Sequence, residues 1–203
     1  MANDADNTVP SDLNGHFLIA ETDLQDPNFF RTVVLIIQHN IEGAFGLVVN
    51  RRSEVTVGDV IEDAVDTAIA GYTVFVGGPV QQNYIFVLHD GIPSRYRSEH
   101  CEEASSGVFF EPSFQHVIDY ARSEDFQDPA EGDRPNIRVF AGYSGWGPGQ
   151  LEREISEDAW FIHPAGADIV FQEDASDGWK AALSKKGSFY RIVAETGYNP
   201  SMN

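Results

Sequence analysis

Apolar positions change period along this chain, and each change marks an element. His16-Phe-Leu-Ile-Ala20 is apolar over a strand's length and predicts a short strand. Gln25-Asp-Pro-Asn28 predicts a turn. Thr32 to His39 is β-branched and almost wholly apolar, as a central strand covered on both faces would be. Phe45 to Asn50 follows a short stretch holding Asn40 and Gly43, so the two runs predict a β-hairpin. Thr56 and Asp59 stand at capping-box spacing. Behind them Val57, Val60, Ile61, Ala64, Val65, Ala68 and Ile69 recur at helical spacing, with Glu62, Asp63 and Asp66 opposite. This is the clearest amphipathic helix pattern in the chain, and Gly71 closes it.

Thr73 to Val76 predicts a strand running into Gly77-Gly-Pro79, and Tyr84 to His89 another, with a turn at Asp90 to Pro93. Residues 94–107 are polar and aperiodic. Val108 to Phe110 predicts an edge strand. Pro112 can open a helix whose buried face is Phe114, Val117, Ile118 and Ala121. Gln127 to Pro135 reads as an acidic loop and Ile137 to Tyr143 as a strand. Gln150 to Ile155 reads as a short helix after Pro148, and Ala159 to Ile162 as a strand. Ala167 to Phe171 fits helix or strand equally. Asp177 to Lys185 predicts a helix with Trp179, Ala182 and Leu183 inward and Gly187 at its end. The polar, turn-rich residues 1–14 read as a disordered tail, leaving 15–203 as a single domain. Strands outnumber helices and the early loops are of hairpin length. The pattern points to an α+β fold: a mostly antiparallel or mixed β core, able to curl toward a barrel, with helices packed outside.

Charge narrows the partners. Of 203 residues 32 are acidic and 13 basic, a formal net charge of -19. The acids are spread, 14 in residues 1–100 and 18 in 101–203, so they coat the surface instead of forming a tail. Such a surface repels phosphates, so direct nucleic-acid binding and anionic-membrane binding are disfavoured. Basic pairs occur at Arg51-Arg52, Arg95 with Arg97, and Lys185-Lys186. Each either solvates a turn, the favoured reading, or builds a phosphate site. Only three of the 13 basic residues are lysine, a balance that matches a salty cytoplasm as well as an ordinary acidic protein. One cysteine, Cys101, excludes an internal disulfide and a Cys-rich metal site. No apolar run is long enough to span a membrane, and the N-terminus lacks a secretory pattern, so a cytoplasmic location is expected.

Candidate chemistry concentrates in Gly142-Tyr-Ser-Gly-Trp-Gly-Pro-Gly-Gln150. Its glycines let backbone approach something closely. It is either a tight turn over a packed Trp146 or a loop whose free N–H groups receive an anion at the helix start. It is no phosphate loop, since no Gly-Lys-Ser/Thr ends it, and Trp146 breaks the Gly-x-Ser-x-Gly pattern that would make Ser144 a nucleophile. Trp146 is expected to be buried as a plug, with Gln150 bonding the loop backbone. His16, His39, His89 and His163 end or flank strands without metal-site spacing. They read as hydrogen-bonded strand-end residues, or, if His39 and His89 are adjacent, as an acid/base pair. Glu99, Glu102 and Glu103 should raise the Cys101 pKa. Glu152 and Glu154 face different ways and form no dyad. Arg31 is either a salt-bridging strand-start residue or an anion ligand.

Several of these motifs, in order, resemble the AlgH/YqgE family. They are His16-Phe-Leu-Ile-Ala20, Asp26-Pro27, Phe30-Arg-Thr-Val-Val34, His39-Asn40, Glu42-Gly-Ala44 and Gly46-Leu-Val-Val-Asn50. Gly77-Gly-Pro-Val80, Phe86-Val-Leu-His89, Gly142-Tyr143, Gly145-Trp146, Gly149-Gln-Leu-Glu152 and Glu154-Ile155 complete the set. The resemblance runs from about Gly15 to Tyr190. It implies one bacterial, cytoplasmic α+β domain with a β-rich core and no assigned biochemical function. Some family members carry a transcriptional-regulator label without a recognised DNA-binding motif. Two positions depart: Arg52 stands where the family usually has proline, and Ser144 where it has alanine, which argues further against a serine nucleophile.

Two functions are expected from this. The first is a non-enzymatic protein acting through an unidentified protein partner, with no catalytic residues, metal or cofactor. The second is a small-molecule or anion binder, or weak hydrolase, sited where the Gly77 turn, the Asn40 hairpin and the Gly142–Gln150 loop converge. Its candidate contacts are Arg31, His39, Asn40, Asn50, Gly77, Gly78, His89, Gly145, Trp146 and Gln150.

Overall fold

The computed structural model describes residues 10, 12–128 and 134–196. The chain runs β1 (His16–Ala20), β2 (Val33–Asn40), β3 (Gly43–Val48), β4 (Arg52–Thr56), α1 (Val57–Val60), β5 (Thr73–Val76), β6 (Val80–His89), β7 (Glu102–Ser105) and β8 (Val108–Glu111). It continues with α2 (Phe114–Arg122), α3 (Glu124–Gln127), β9 (Ile137–Trp146), α4 (Gln150–Ser156), β10 (Trp160–Pro164), α5 (Ala167–Val170), α6 (Gly178–Ser184) and α7 (Ser188–Thr196). The main path of the sheet is β10-β1-β2-β3-β9-β6-β8-β7, antiparallel throughout. Off this path β5 pairs β9 in parallel, and β4 pairs β5. The sheet curls into a half-barrel with helices packed on it, the expected single α+β domain with a mixed core.

The run Val33–Ile37 is the middle of this sheet because five consecutive apolar side chains need cover on both faces. All five are buried. β9 organises the rest. One edge carries β6; the other carries β5 along Val139–Ala141 and then β3 along Ser144–Trp146. The changeover falls at Gly142, whose φ of 72° is open to glycine at no steric cost. There Gly77 N–H donates to Ala141 O (2.9 Å) and Gly77 O accepts from Val48 N–H (2.8 Å). A Cβ on Gly78 would collide with the Tyr143 backbone, so the Gly77-Gly78 pair is required by strand crossing. One apolar cluster lies around β1–β3, α4, α6 and α7, and a second beneath α2 and α3.

Several expectations are corrected. The helix over 57–69 is one turn, Val57–Val60; Ile61 is extended (φ −129°, ψ 101°) and a 3-10 turn covers Glu62–Ala64. Both ends of the segment are tied back, Val57 N–H to Tyr72 O (2.9 Å) and Gly58 N–H to Ala70 O (2.8 Å). A continuous helix would carry those ends apart at 1.5 Å per residue. Its β-branched residues, Gly58 and unpaired acids also weaken helix propensity. Capping survives: Asp59 Oδ2 accepts from Thr56 N–H (2.8 Å) and Thr56 Oγ1–H (2.7 Å). Val108–Glu111 is an inner strand between β6 and β7, and β7 lies in the aperiodic stretch. β9 continues three residues past Tyr143, so the glycine segment begins as strand. Ala167–Val170 is helical, and β4, α3 and α7 carried no clear signal. The ordered chain starts before residue 15: Leu13 is fully buried and Asn14 Oδ1 accepts from His39 N–H (2.6 Å). Residues 1–9 and 11 of the expected tail, and 129–133 of the acidic loop, lie outside the described residues.

Candidate functional site

The three predicted loops do converge, but on one another. Ala44 of β3 pairs with Trp146, a Cβ on Gly43 would strike the Trp146 carbonyl, and Gly77-Gly78 lie against Gly142–Ser144. The glycines serve backbone packing here. Asn40 Oδ1 accepts from Glu42 N–H (2.8 Å), which shapes the hairpin. Ser144 is buried and its hydroxyl donates to Gly77 O (3.2 Å), far from the exposed position a nucleophile needs.

Trp146 is buried as expected, and its N–H acceptor is Glu154. Glu154 Oε2 accepts from both Trp146 Nε1 and Trp160 Nε1, each at 2.9 Å, while Oε1 accepts from Gln150 Nε2 (2.9 Å). Gln150 Oε1 accepts from Gly147 N–H (3.1 Å), the predicted bond to loop backbone. Phe29 stacks on Trp146 (6.0 Å between centroids) and meets Trp160 edge-on (5.3 Å). The sequence signal for Glu154 was its place one helical turn after Gln150; Trp160 as a second donor had none.

Asn50 and Arg51 clasp the Pro27–Arg31 turn. Arg31 stands at φ 52° and makes no ion pair among the described residues; its guanidinium lies over Phe30 (5.2 Å) and Trp179 (5.3 Å). The salt-bridge expectation is not realised among the described residues. Asn50 Oδ1 accepts from Val33 N–H (2.8 Å) and its Nδ2 donates to Arg31 O (2.9 Å). Arg51 Nη1 donates to Asn28 O (2.7 Å).

His39 and His89 lie on separate strands, β2 and β6, with β3 and β9 between them, so they form no acid/base pair. His39 Nδ1 accepts from Leu13 N–H (3.4 Å), which leaves Nε2–H to donate to Glu152 Oε1 (3.0 Å). His89 is fully buried, stacked on Phe109 (5.4 Å), with Nδ1 accepting from Ile92 N–H (3.2 Å) and Nε2 3.7 Å from Cys101 Sγ. Burial, with the Arg97 charge, lowers its pKa to about 4. Burial first, then the carboxylate of Glu111, pushes the Cys101 thiol up to about 11. The expected direction holds, but Glu111, across the sheet, outweighs the sequence neighbour Glu102. Buried Glu111 accepts from Ser98 N–H (2.7 Å), Ser98 Oγ (2.6 Å) and Ser113 N–H (2.8 Å). A neutral imidazole beside a protonated thiol is an unreactive pair at neutral pH. Among the described residues no three His, Cys, Asp or Glu side chains gather as a metal site.

A cavity of about 190 Å³ opens elsewhere, lined by Arg52, Tyr72, Thr73, Phe75, Asn136, Ile137, Arg138, Phe171, Gln172 and Glu173. None of the candidate contacts lines it, but Arg52 of the Arg51-Arg52 pair does. Arg138 reaches it from β9, donating to Val49 O (3.0 Å) and to Gln172 O. Its guanidinium lies 4.6 Å from the Phe75 ring centre and that of Arg52 6.0 Å. Burial, then the charge of Arg52, lowers the Arg138 pKa to about 10. A lone arginine in an apolar strand, Ile-Arg-Val-Phe, was the available signal.

The comparisons agree with this fold. The AlgH-like family matches residues 17–191. A UPF0301 protein of Thioalkalivibrio sulfidiphilus is 38% identical over 190 residues, covering 92% of this chain and 96% of its own. One from Streptomyces coelicolor is 36% identical over 202 residues, covering 97% and 98%. The solution structure of the AlgH protein of Pseudomonas aeruginosa superposes with a TM-score of 0.70 at 31% identity, covering 95% of this chain and 97% of that one. A crystal structure from Corynebacterium diphtheriae shares the fold, with a TM-score of 0.72 at 24% identity over 91% and 93%. With a bacterial kinship running over nearly its whole length, the chain belongs to the AlgH-like family.

Proposed function

We propose that this is a cytoplasmic, non-enzymatic regulatory protein that acts by docking a basic protein partner. The observation that carries the reading is the segment Glu54–Asp66. Val55, Val60 and Val65 are 41%, 50% and 53% exposed there, among Glu54, Asp59, Glu62, Asp63 and Asp66. Exposed apolar side chains in a segment rich in carboxylates suit an interface with an apolar centre and a charged rim, and carboxylates select lysines and arginines. The neutral His89–Cys101 pair and the buried Ser144 support a role without covalent chemistry. The net charge of -19 supports a protein partner over DNA.

A photo-reactive side chain at position 60 tests the docking face in living cells. It should form an adduct with a basic protein, and Glu62→Lys with Asp63→Lys should abolish that adduct. A gel-shift titration is the opposing test. Tight DNA binding that weakens steeply with salt would overturn the indirect model.

A further inference from the structure

Arg138 is a buried cation that forms no ion pair with a carboxylate among the described residues. It is 9% exposed, and two backbone carbonyls take two of its five N–H donors. Among the described residues neither Arg138 nor Arg52 forms an ion pair with a carboxylate. Arg52 lies exposed at the same cavity and donates to Thr73 Oγ1 (3.3 Å). Both guanidiniums sit within 6.0 Å of one ring, that of Phe75. Lining one cavity with two like charges, one of them out of water, costs free energy that an anion in the cavity would offset. Asp174 lies close enough to Arg52 to feel its charge and Glu173 lines the cavity, yet neither forms an ion pair with Arg138.

The walls narrow the occupant. Tyr72, Phe75 and Phe171 give flat apolar surface, and Thr73, Asn136 and Gln172 give neutral polar groups. At about 190 Å³ the cavity is smaller than the roughly 300–1,000 Å³ of sites for drug-sized ligands, which favours a small occupant. Glu173 lines the cavity as a carboxylate and opposes an anion from the rim.

We propose that this cavity binds a small organic anion, a carboxylate or phosphate carried on a flat apolar group. The anion lies toward the Arg52 and Arg138 guanidiniums, whose planar forks suit such oxygens, and the apolar body lies against the aromatic walls. The protein's negative surface does not prevent this, because charges beyond about 8 Å are screened at physiological salt.

NMR titration of the full chain at fixed ionic strength tests the site, with benzoate, phenyl phosphate, inorganic phosphate and neutral benzyl alcohol as probes. Benzoate or phenyl phosphate should give saturable shifts at Thr73, Asn136 and Gln172, and the tighter of the two names the headgroup. Arg52→Gln, at an exposed side chain that leaves the core intact, should weaken that binding about tenfold, the loss of one charge-assisted contact. Glu173→Gln should tighten it. Absence of saturation with both aromatic anions, or an unchanged affinity in Arg52→Gln, would overturn the site. Inorganic phosphate or benzyl alcohol binding as tightly as the aromatic anions would overturn the assigned ligand class.

Discussion

Removing the Trp146 indole tests whether the glycine-rich segment is held from within. Trp146→Ala deletes a side chain that is 5% exposed, its stacking on Phe29 and its bond to Glu154. Truncating a buried tryptophan costs about 3–5 kcal/mol. Single domains are stable by only about 5–15 kcal/mol, so the variant should fold but be much weakened. With a urea slope of about 2.5 kcal/mol/M, the midpoint should fall by about 1–2 M. Far-UV circular dichroism is the suitable probe, since the substitution removes one of the three tryptophans that would report by fluorescence. Glu154→Gln separates packing from hydrogen bonding. Its amide offers one acceptor oxygen to two indoles and sets its NH₂ against Gln150 Nε2, so a smaller loss of about 1–3 kcal/mol is expected. An unchanged midpoint in Trp146→Ala would refute the plug and make this segment a binding surface instead.

Three further outcomes follow from the charges. His89 stays neutral in the fold down to about pH 4, whereas the unfolded chain protonates it near 6.5, so the unfolded state holds the extra proton between those values. Stability should therefore fall by about 3 kcal/mol as pH drops from 6.5 to 4, and His89→Gln should flatten that slope in denaturation curves taken across the range. Cys101, pushed up to about 11 by burial and Glu111, should react with iodoacetamide at pH 8 about 100-fold more slowly than an unperturbed thiol. A rate equal to that of free cysteine would contradict the geometry. Few of the 32 acids are paired among the described residues, so molar potassium chloride should raise the melting temperature by screening their repulsion, and a flat profile would reject adaptation to salt.

Elements whose burial is set by their own residues were legible in the chain. Val33–Ile37 demands a central strand wherever it is placed, Asn40 and Gly43 build their hairpin locally, and Val117, Ile118 and Ala121 define the α2 face. The convergence of the glycine motifs was legible for the same reason, since each sits at the end of a strand. What filled the convergence was not. Periodicity reports a segment's neighbours along the chain, so it could not show that Tyr72 and Ala70 carbonyls tie back residues 57 and 58 and stop a helix after one turn. Nor could it show β9 holding β6 on one edge and two other strands on the opposite one, or His39 meeting Glu152 across 113 residues. The Arg52–Arg138 cavity belongs to this second class. The two residues are 86 positions apart, and only the pairing of β4 with β5 and β5 with β9 brings them to one ring. Local sequence selects which segments must be buried; the partner of each buried polar group is chosen by strands that meet only when the sheet closes on them.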